Sequence, residues 1–246
     1  MLRSTANPPH DPAFVRTLFD EMAETYGLVN LVCSFGFALR WRRQCIASLP
    51  RPDPAERFVD LMSGMGELWR SIFDRFGDSL HVSGIELSPE MARRSDSKFR
   101  GSVEVRIGDV FDWNPSNAPA DAVVCSFGLK TFDAVQQLAL ARRVAEALRD
   151  GGTYSFVEIS VPRIAFLRVV YLFYLDRVIP FIGWLMLGNP ANYRMLGRYT
   201  RAFGDCRHFA RCLAEAGLEV QYRTYFFGCA TGVLGRKPSV PLVPAE

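Results

Sequence analysis

The sequence predicts an α/β fold: a doubly wound, mostly parallel sheet of seven strands with an antiparallel C-terminal hairpin, N-terminal helices and a helical lid insertion. Three observations predict it. Short strand-like runs alternate with helical-period segments from residue 57 to residue 159, the pattern of parallel strands joined by crossover helices. The first run, Phe58 to Met62, ends in the small-residue turn Ser63-Gly64-Met65-Gly66, which opens a helix. A helical segment and two further runs, 219–226 and 229–236, close the chain.

Taken in order, residues 1–12, with Pro8, Pro9 and Pro12, read as a loose lead-in. Phe14, Leu18, Phe19 and Met22 recur at helical spacing and predict an amphipathic helix from Ala13 to about Tyr26-Gly27. A second helix is expected from Phe37 through Trp41 and Cys45 to Leu49, with Arg40, Arg42 and Arg43 on its outer face. That face reads as solvated and basic, or as a contact for phosphate or anionic lipid. Pro50, Pro52 and Pro54 stop it. Strands follow at 57–62, 81–85, 103–107, 122–126 and 153–159. Helices are expected at 68–76, at 90–99 behind Ser88-Pro89, and at 133–148, the last halted by Arg149-Asp150-Gly151-Gly152.

Residues 164–187 break this rhythm with a strongly apolar run. It approaches transmembrane length, but Arg168, Asp176 and Arg177 interrupt it and Pro180 splits it. Each charge at a bilayer centre costs ~2.5–3.5 kcal/mol on insertion scales, which argues against a span. A pair of helices capping the sheet over an apolar pocket fits the run; so do a surface-lying interfacial role and ordinary buried packing. A helical segment then runs from Asn189 to about Phe203, and Asp205 caps a helix over 208–216 that ends at Gly217. The implied organisation is a cap (1–50), a nucleoside-binding core (51–160), a lid (161–204), a C-terminal helix with two strands (205–236) and a tail (237–246).

Composition narrows the function. The chain has 246 residues, 49% apolar and 22% charged, with a net charge of +3 spread along its length. That disfavours nucleic acid as a partner, which wants clustered cations interleaved with aromatics. None of the six cysteines forms a C-x-x-C pair, and the three histidines lie far apart, so no metal site is expected. With a polar N-terminus and no signal peptide, a cytoplasmic location with reduced thiols is expected.

The turn carries the chemistry. A turn poor in side chains lets a ligand approach backbone N–H groups at a helix N-terminus. About twenty residues on, Glu86 ends the second strand, where a carboxylate can accept both hydroxyls of a ribose. The dinucleotide pattern G-x-G-x-x-G is absent: after Gly64 and Gly66 the next glycine is Gly77. The balance therefore tilts toward a smaller nucleoside ligand without phosphates. Later strand ends supply Gly108-Asp109, Ser126 and Asp150-Gly151-Gly152 in order.

This ordered set resembles the class I methyltransferases, Rossmann-like enzymes that use S-adenosyl-L-methionine. The resemblance implies cofactor contacts from Asp60, Gly64, Met65, Gly66, Glu86, Leu87, Gly108, Asp109, Val110 and Ser126. Further stretches are similar to the ubiquinone/menaquinone C-methyltransferase family. They are Phe19-Asp20-Glu21-Met22-Ala23-Glu24-Thr25-Tyr26; Ser34-Phe35-Gly36 with Leu39-Arg40-Trp41-Arg42-Arg43; Ser126-Phe127-Gly128-Leu129; Val157-Glu158-Ile159-Ser160-Val161-Pro162; and Tyr193-Arg194-Met195-Leu196. Three departures stand out. Met62 and Met65 replace a small residue and a Thr, Lys130-Thr131 replaces Arg-Asn, and Tyr26-Gly27 replaces Tyr-Asp.

The resemblance implies C-methylation of a hydrophobic, ring-bearing acceptor, with Lys130, Glu158 and Tyr193 as catalytic candidates. Lys130 would stabilise a phenolate or enolate, or act as base if burial lowers its proton affinity; it could equally be a solvent-facing loop lysine, and Tyr193 plain lid packing. Two other functions stay open: a specialised-metabolism methyltransferase acting on oxygen, nitrogen or carbon of a natural product, with or without a coupled cyclisation, and a non-catalytic cofactor-binding partner in a biosynthetic complex. Peripheral contact with a membrane and a homodimer are compatible with the pattern.

Overall fold

A computed structural model of the chain describes residues 10–50, 57–99, 102–115, 119–186 and 189–239. The predicted linker around Pro52 and Pro54, the lead-in before residue 10 and the tail from residue 240 lie outside the described residues.

The sheet has seven strands: β1 (Arg57–Leu61), β2 (His81–Glu86), β3 (Val103–Ile107), β4 (Ala120–Ser126), β5 (Leu148–Ile159), β6 (Glu219–Tyr225) and β7 (Ala230–Arg236). Their spatial order is β3-β2-β1-β4-β5-β7-β6. The first five pair in parallel, and β7 runs antiparallel between β5 and β6. The order reverses between β1 and β4, and in an open α/β sheet the crevice at that reversal, beyond the carboxyl ends of the strands, takes the ligand.

Alternating side chains supply both faces of the sheet. Phe58 packs on one side with Ile46 of α3 (Phe37–Ala47) and with Trp69 and Ile72 of α4 (Trp69–Phe76). Its neighbour Val59 packs on the other side with Leu140 and Val144 of α6 (Ala134–Ala147) and with Phe209 and Leu213 of α10 (Arg207–Glu215). Helix α5 (Pro89–Lys98) begins at Ser88, whose hydroxyl accepts the Met91 N–H. Helix α6 carries a full capping box between Asp133 and Gln136. Helix α10 is capped at Cys206 without a side-chain bond, not at Asp205 as expected; Asp205, one residue earlier, accepts the Arg207 N–H.

The N-terminal helix is shorter than its periodicity predicts. The chain makes α1 (Pro12–Met22), turns at Ala23–Thr25, and starts again as α2 (Tyr26–Cys33). Side-chain bonds hold the break in place: Asp20 accepts the Ser88 hydroxyl and the Glu90 N–H, and Thr25 Oγ1 bonds the Tyr193 hydroxyl. The helix after β4 also ends as expected, but Leu148–Gly152 then joins β5 instead of forming a loop. Leu148 pairs with Ala120 across a bulge, and Gly151 and Gly152 exchange bonds with Lys237.

The interrupted run forms one bent helical stretch: α7 (Ala165–Phe173), a π turn (Tyr174–Val178) and α8 (Ile179–Leu185). The π turn falls where the run meets Asp176, Arg177 and Pro180, which cannot donate in a regular ladder. Together with α9 (Pro190–Phe203) it packs on α1 and α2 through Val15, Met22, Val29, Ile179, Ile182, Tyr193 and Tyr199. Among the described residues no helix is long and apolar enough to cross a membrane.

Candidate active site

Two cavities meet above the reversal of the sheet. The first, of about 800 Å³, is lined by Gly64, Glu86, Leu87, Gly108, Asp109, Val110 and Ser126, with Met62, Glu67, Arg42 and His10. The second, of about 1310 Å³, is predominantly apolar and lies under the lid, between α2, α7 and α9. Tyr26 lines both.

Glu86 sits where the end of β2 delivers it. Its Oε2 accepts the Gly64 N–H at 2.7 Å and its Oε1 the Ser88 N–H at 2.8 Å. Burial, only partly offset by these bonds and reinforced by nearby Glu67, pushes the carboxyl up to about 7. Asp109, after β3, accepts the Phe111 N–H.

The turn itself differs from the expectation of free amides. The N–H groups of Ser63, Gly64, Met65 and Gly66 donate to Ile85 O, Glu86, Glu67 and Ser63 O respectively. Asp60 lies beneath the turn, where its Oδ2 accepts the indole N–H of Trp69 at 2.9 Å; burial holds this carboxyl well above the ordinary range. Met65 is buried among Met22, Tyr26 and Tyr193. Gly66 packs over Trp69. These three therefore brace the turn from behind, while Gly64 faces the cleft.

Only glycine fits at position 66. Its φ is +74°, and an added Cβ would stand 2.4 Å from the Trp69 ring, which is fully buried and cannot retreat. Gly66→Ala is expected to cost about 3 kcal/mol from left-handed strain and the clash. That lowers the melting temperature by roughly 6–12 °C in a chain of this size, read by circular dichroism. Met62, at φ +54°, occupies the same left-handed region despite its side chain, which lies against Gly128. Phe127 does likewise at +64°. Backbone strain of this kind clusters at ligand sites.

Arg42 corrects the sequence reading. It is not on the outer face of α3 but 5% exposed, and the outer arginines are Arg40 and Arg43. Its Nε donates to Ser126 Oγ at 3.3 Å, its guanidinium lies 4.9 Å over the Phe127 ring, and it stands 3.5 Å from Glu67. The signal was available: Ala38, Trp41, Arg42 and Cys45 form one helical stripe, and the arginine lies within it. His10 was missed because it sits in a proline-rich lead-in. Its Nδ1 meets Thr131 O at 2.8 Å, and Gln136 donates to its carbonyl, fastening the N-terminal segment across the first cavity.

Lys130 is buried at 3% exposure, which excludes a solvent-facing loop lysine. Its Nζ donates to Glu158 Oε1 at 2.9 Å and to Phe127 O at 2.5 Å. Glu158 is fully buried and also accepts the N–H groups of Lys130 and Ile159. Lys130 lines the apolar cavity, as does Tyr193. Burial raises the proton affinity of the Tyr193 and Tyr26 hydroxyls, the latter also through Glu67.

The first cavity suits a cationic nucleoside. Glu67 Oε1 is buried without a hydrogen bond, since Arg42 approaches it outside bonding geometry, and so it is free to accept from an ammonium. Gly108 leaves open space where a side chain would stand. Glu86 brings a carboxylate to the end of β2. Among the described residues no group of acids, histidines and cysteines could hold a metal ion.

Strand order, cleft position and this set of groups define a methyltransferase of the class that uses S-adenosylmethionine. The chain belongs to the ubiE/COQ5 methyltransferase family, matched over residues 8–237. It is 34% identical over 227 residues to a demethylmenaquinone methyltransferase of Thermus thermophilus, covering 90% of this chain and 100% of that one. It is 28% identical over 230 residues to a ubiquinone/menaquinone biosynthesis C-methyltransferase of Geotalea daltonii, with 91% and 96% covered. Among solved structures it resembles human N-acetylserotonin methyltransferase in complex with SAM at a TM-score of 0.59 and 16% identity. That likeness covers 90% of this chain and 59% of the human one, and bears on the fold.

Proposed function

We propose that the chain methylates a ring carbon of a hydrophobic acceptor of the quinol or phenol type, one that carries an apolar tail. The observation that carries this is Lys130: a lone cation in the wall of a predominantly apolar cavity, with one N–H unspent. An ammonium has three donors, and two are committed to Phe127 O and Glu158. The third can hold a ring oxygen as its anion, which makes the adjacent ring carbon electron-rich; when that carbon gains the methyl it gives up its own proton, so the ring regains aromaticity and one proton is released per turnover. The names of two relatives, a demethylmenaquinone methyltransferase and a ubiquinone/menaquinone biosynthesis C-methyltransferase, support the same acceptor class.

S-adenosylmethionine, when bound, supplies an electrophilic methyl group. On this reading Glu86 accepts from its ribose, Asp109 and Val110 border its base, and Glu67 with Gly64 faces its methionine part. Tyr26 stands at the junction of the two cavities and fixes how acceptor and donor face each other, an alignment worth up to ~7–11 kcal/mol. Glu158 holds the Lys130 side chain in place. Tyr193, bonded to Thr25, closes the cavity against water.

The test is formation of S-adenosylhomocysteine with a reduced demethylnaphthoquinol, with and without a short prenyl tail. Faster turnover with the tail, and a new methyl on carbon, are expected. A second reading, a natural-product acceptor, is favoured by Lys130-Thr131 standing where the family carries Arg-Asn; turnover of phenolic substrates alone would establish it in place of the first.

A further inference from the structure

The lid carries an apolar surface that the fold leaves uncovered. Helix α7 buries none of its residues. Leu167 and Tyr171 turn toward the acceptor cavity, while Phe166, Val169 and Phe173 point outward, 80%, 68% and 62% exposed. Beyond the π turn, Phe181, Trp184 and Leu185 of α8 are exposed by 59%, 59% and 66%. Six large apolar side chains left open along one bent helical stretch mark a docking surface.

Charge identifies the partner. Residues 27–50 and 161–204 frame the mouth of the apolar cavity. They hold nine of the chain's 29 basic residues, all arginine, and one of its 26 acidic residues, which leaves the remainder of the chain net acidic. The single acid, Asp176, is already paired with Arg201. Arg40, Arg43, Arg163, Arg168, Arg177 and Arg194 are exposed. A second copy docked face to face would set these arginines against one another; an anionic surface would neutralise them. Position links the surface to the site: Phe35, Val170 and Phe226 are each 48% or more exposed and also line the cavity.

We propose that this face seats on an anionic lipid bilayer. The α7–α8 crest enters the acyl boundary, the arginines meet the headgroups, and the acceptor's tail passes sideways through the mouth at Phe35 without crossing water. No described helix is long and apolar enough to span, so the lid lies on the bilayer. The entry route rests on the acceptor proposed above; the docking does not.

Flotation with vesicles of phosphatidylcholine, with and without an equal share of phosphatidylglycerol, tests it. The chain is expected to float with the anionic vesicles only, less so as salt rises. Trp184 is the exposed reporter, since Trp41 and Trp69 are buried and Trp113 is partly buried against the core; its emission should shift to the blue and be quenched by brominated lipid. Phe166→Glu with Phe173→Glu should weaken vesicle binding at least tenfold and leave S-adenosylhomocysteine affinity unchanged. Equal binding to both vesicle types, no binding to either, or unaltered flotation of the variant overturns the proposal. A dimer that the same variant splits would assign the crest to a second copy instead. Normal S-adenosylhomocysteine binding without flotation sinks the membrane proposal alone, whereas flotation without that binding sinks the reading of the cofactor cleft.

Discussion

Glu86→Ala is expected to raise the dissociation constant for S-adenosylhomocysteine by at least about a hundredfold. Two hydrogen bonds from hydroxyls to a carboxylate are worth roughly 1.5–3 kcal/mol each when buried, and each 1.4 kcal/mol is about tenfold. The variant also strands the Gly64 and Ser88 amides, which now donate to the two oxygens. Isothermal calorimetry measures the loss, and an unchanged constant would remove Glu86 from the cofactor site. The same carboxyl gives a pH signature. Burial raises it from 4.5 to about 7, so between those values the folded chain holds a proton that the unfolded chain has released. Its contribution to stability is therefore present below pH 4.5 and lost as pH rises through about 7. Ligand binding runs the other way. Two donated hydroxyls favour the ionised form, so affinity should strengthen as pH climbs through 7, with proton release detectable by calorimetry in buffers of different ionisation enthalpy.

The second large effect is at the buried ion pair. Glu158→Ala leaves the Lys130 ammonium in an apolar wall without its counter-charge and strips the acceptor from two backbone amides. Removing one partner of such a pair costs about 3–5 kcal/mol, or roughly 6–20 °C of melting temperature. Such a loss alone would not separate a structural role from a functional one. The double variant Lys130→Met with Glu158→Gln does. Glutamine keeps an acceptor for the amides, and methionine fills the lysine's volume, so most of the stability should return. Turnover should not, because nothing is left to hold the ring oxygen. A double variant that melts like the wild type and still turns over would reduce the pair to packing.

The sheet was legible because the inner strands are mostly buried on both faces, which leaves short, largely apolar runs between glycine and proline punctuation. Strand ends were legible too: Glu86 closes one such run, and Asp109 follows the Gly108 that stops β3. What the sequence hid is long-range. The break between α1 and α2 depends on Asp20 reaching Ser88 and on Thr25 reaching Tyr193, partners 68 and 168 residues away. Local periodicity cannot report them. Arg42 was misjudged because an arginine in a basic cluster reads as solvated, and only its place in an apolar stripe says otherwise. Free amides at the glycine turn were expected from the motif. The side chains of Glu86 and Glu67, one strand and one residue away, occupy two of them.

Met62 and Gly128 have a consequence for how this chain can change. A Cβ at Gly128 would lie 2.7 Å from that of Met62, so bulk at one position forbids bulk at the other. A side chain can be gained at position 128 only after position 62 has lost its own Cβ and become glycine, and in the reverse order the intermediate is overpacked at the floor of the cofactor cleft. Any redesign that adds a side chain at position 128 must therefore begin by placing glycine at position 62.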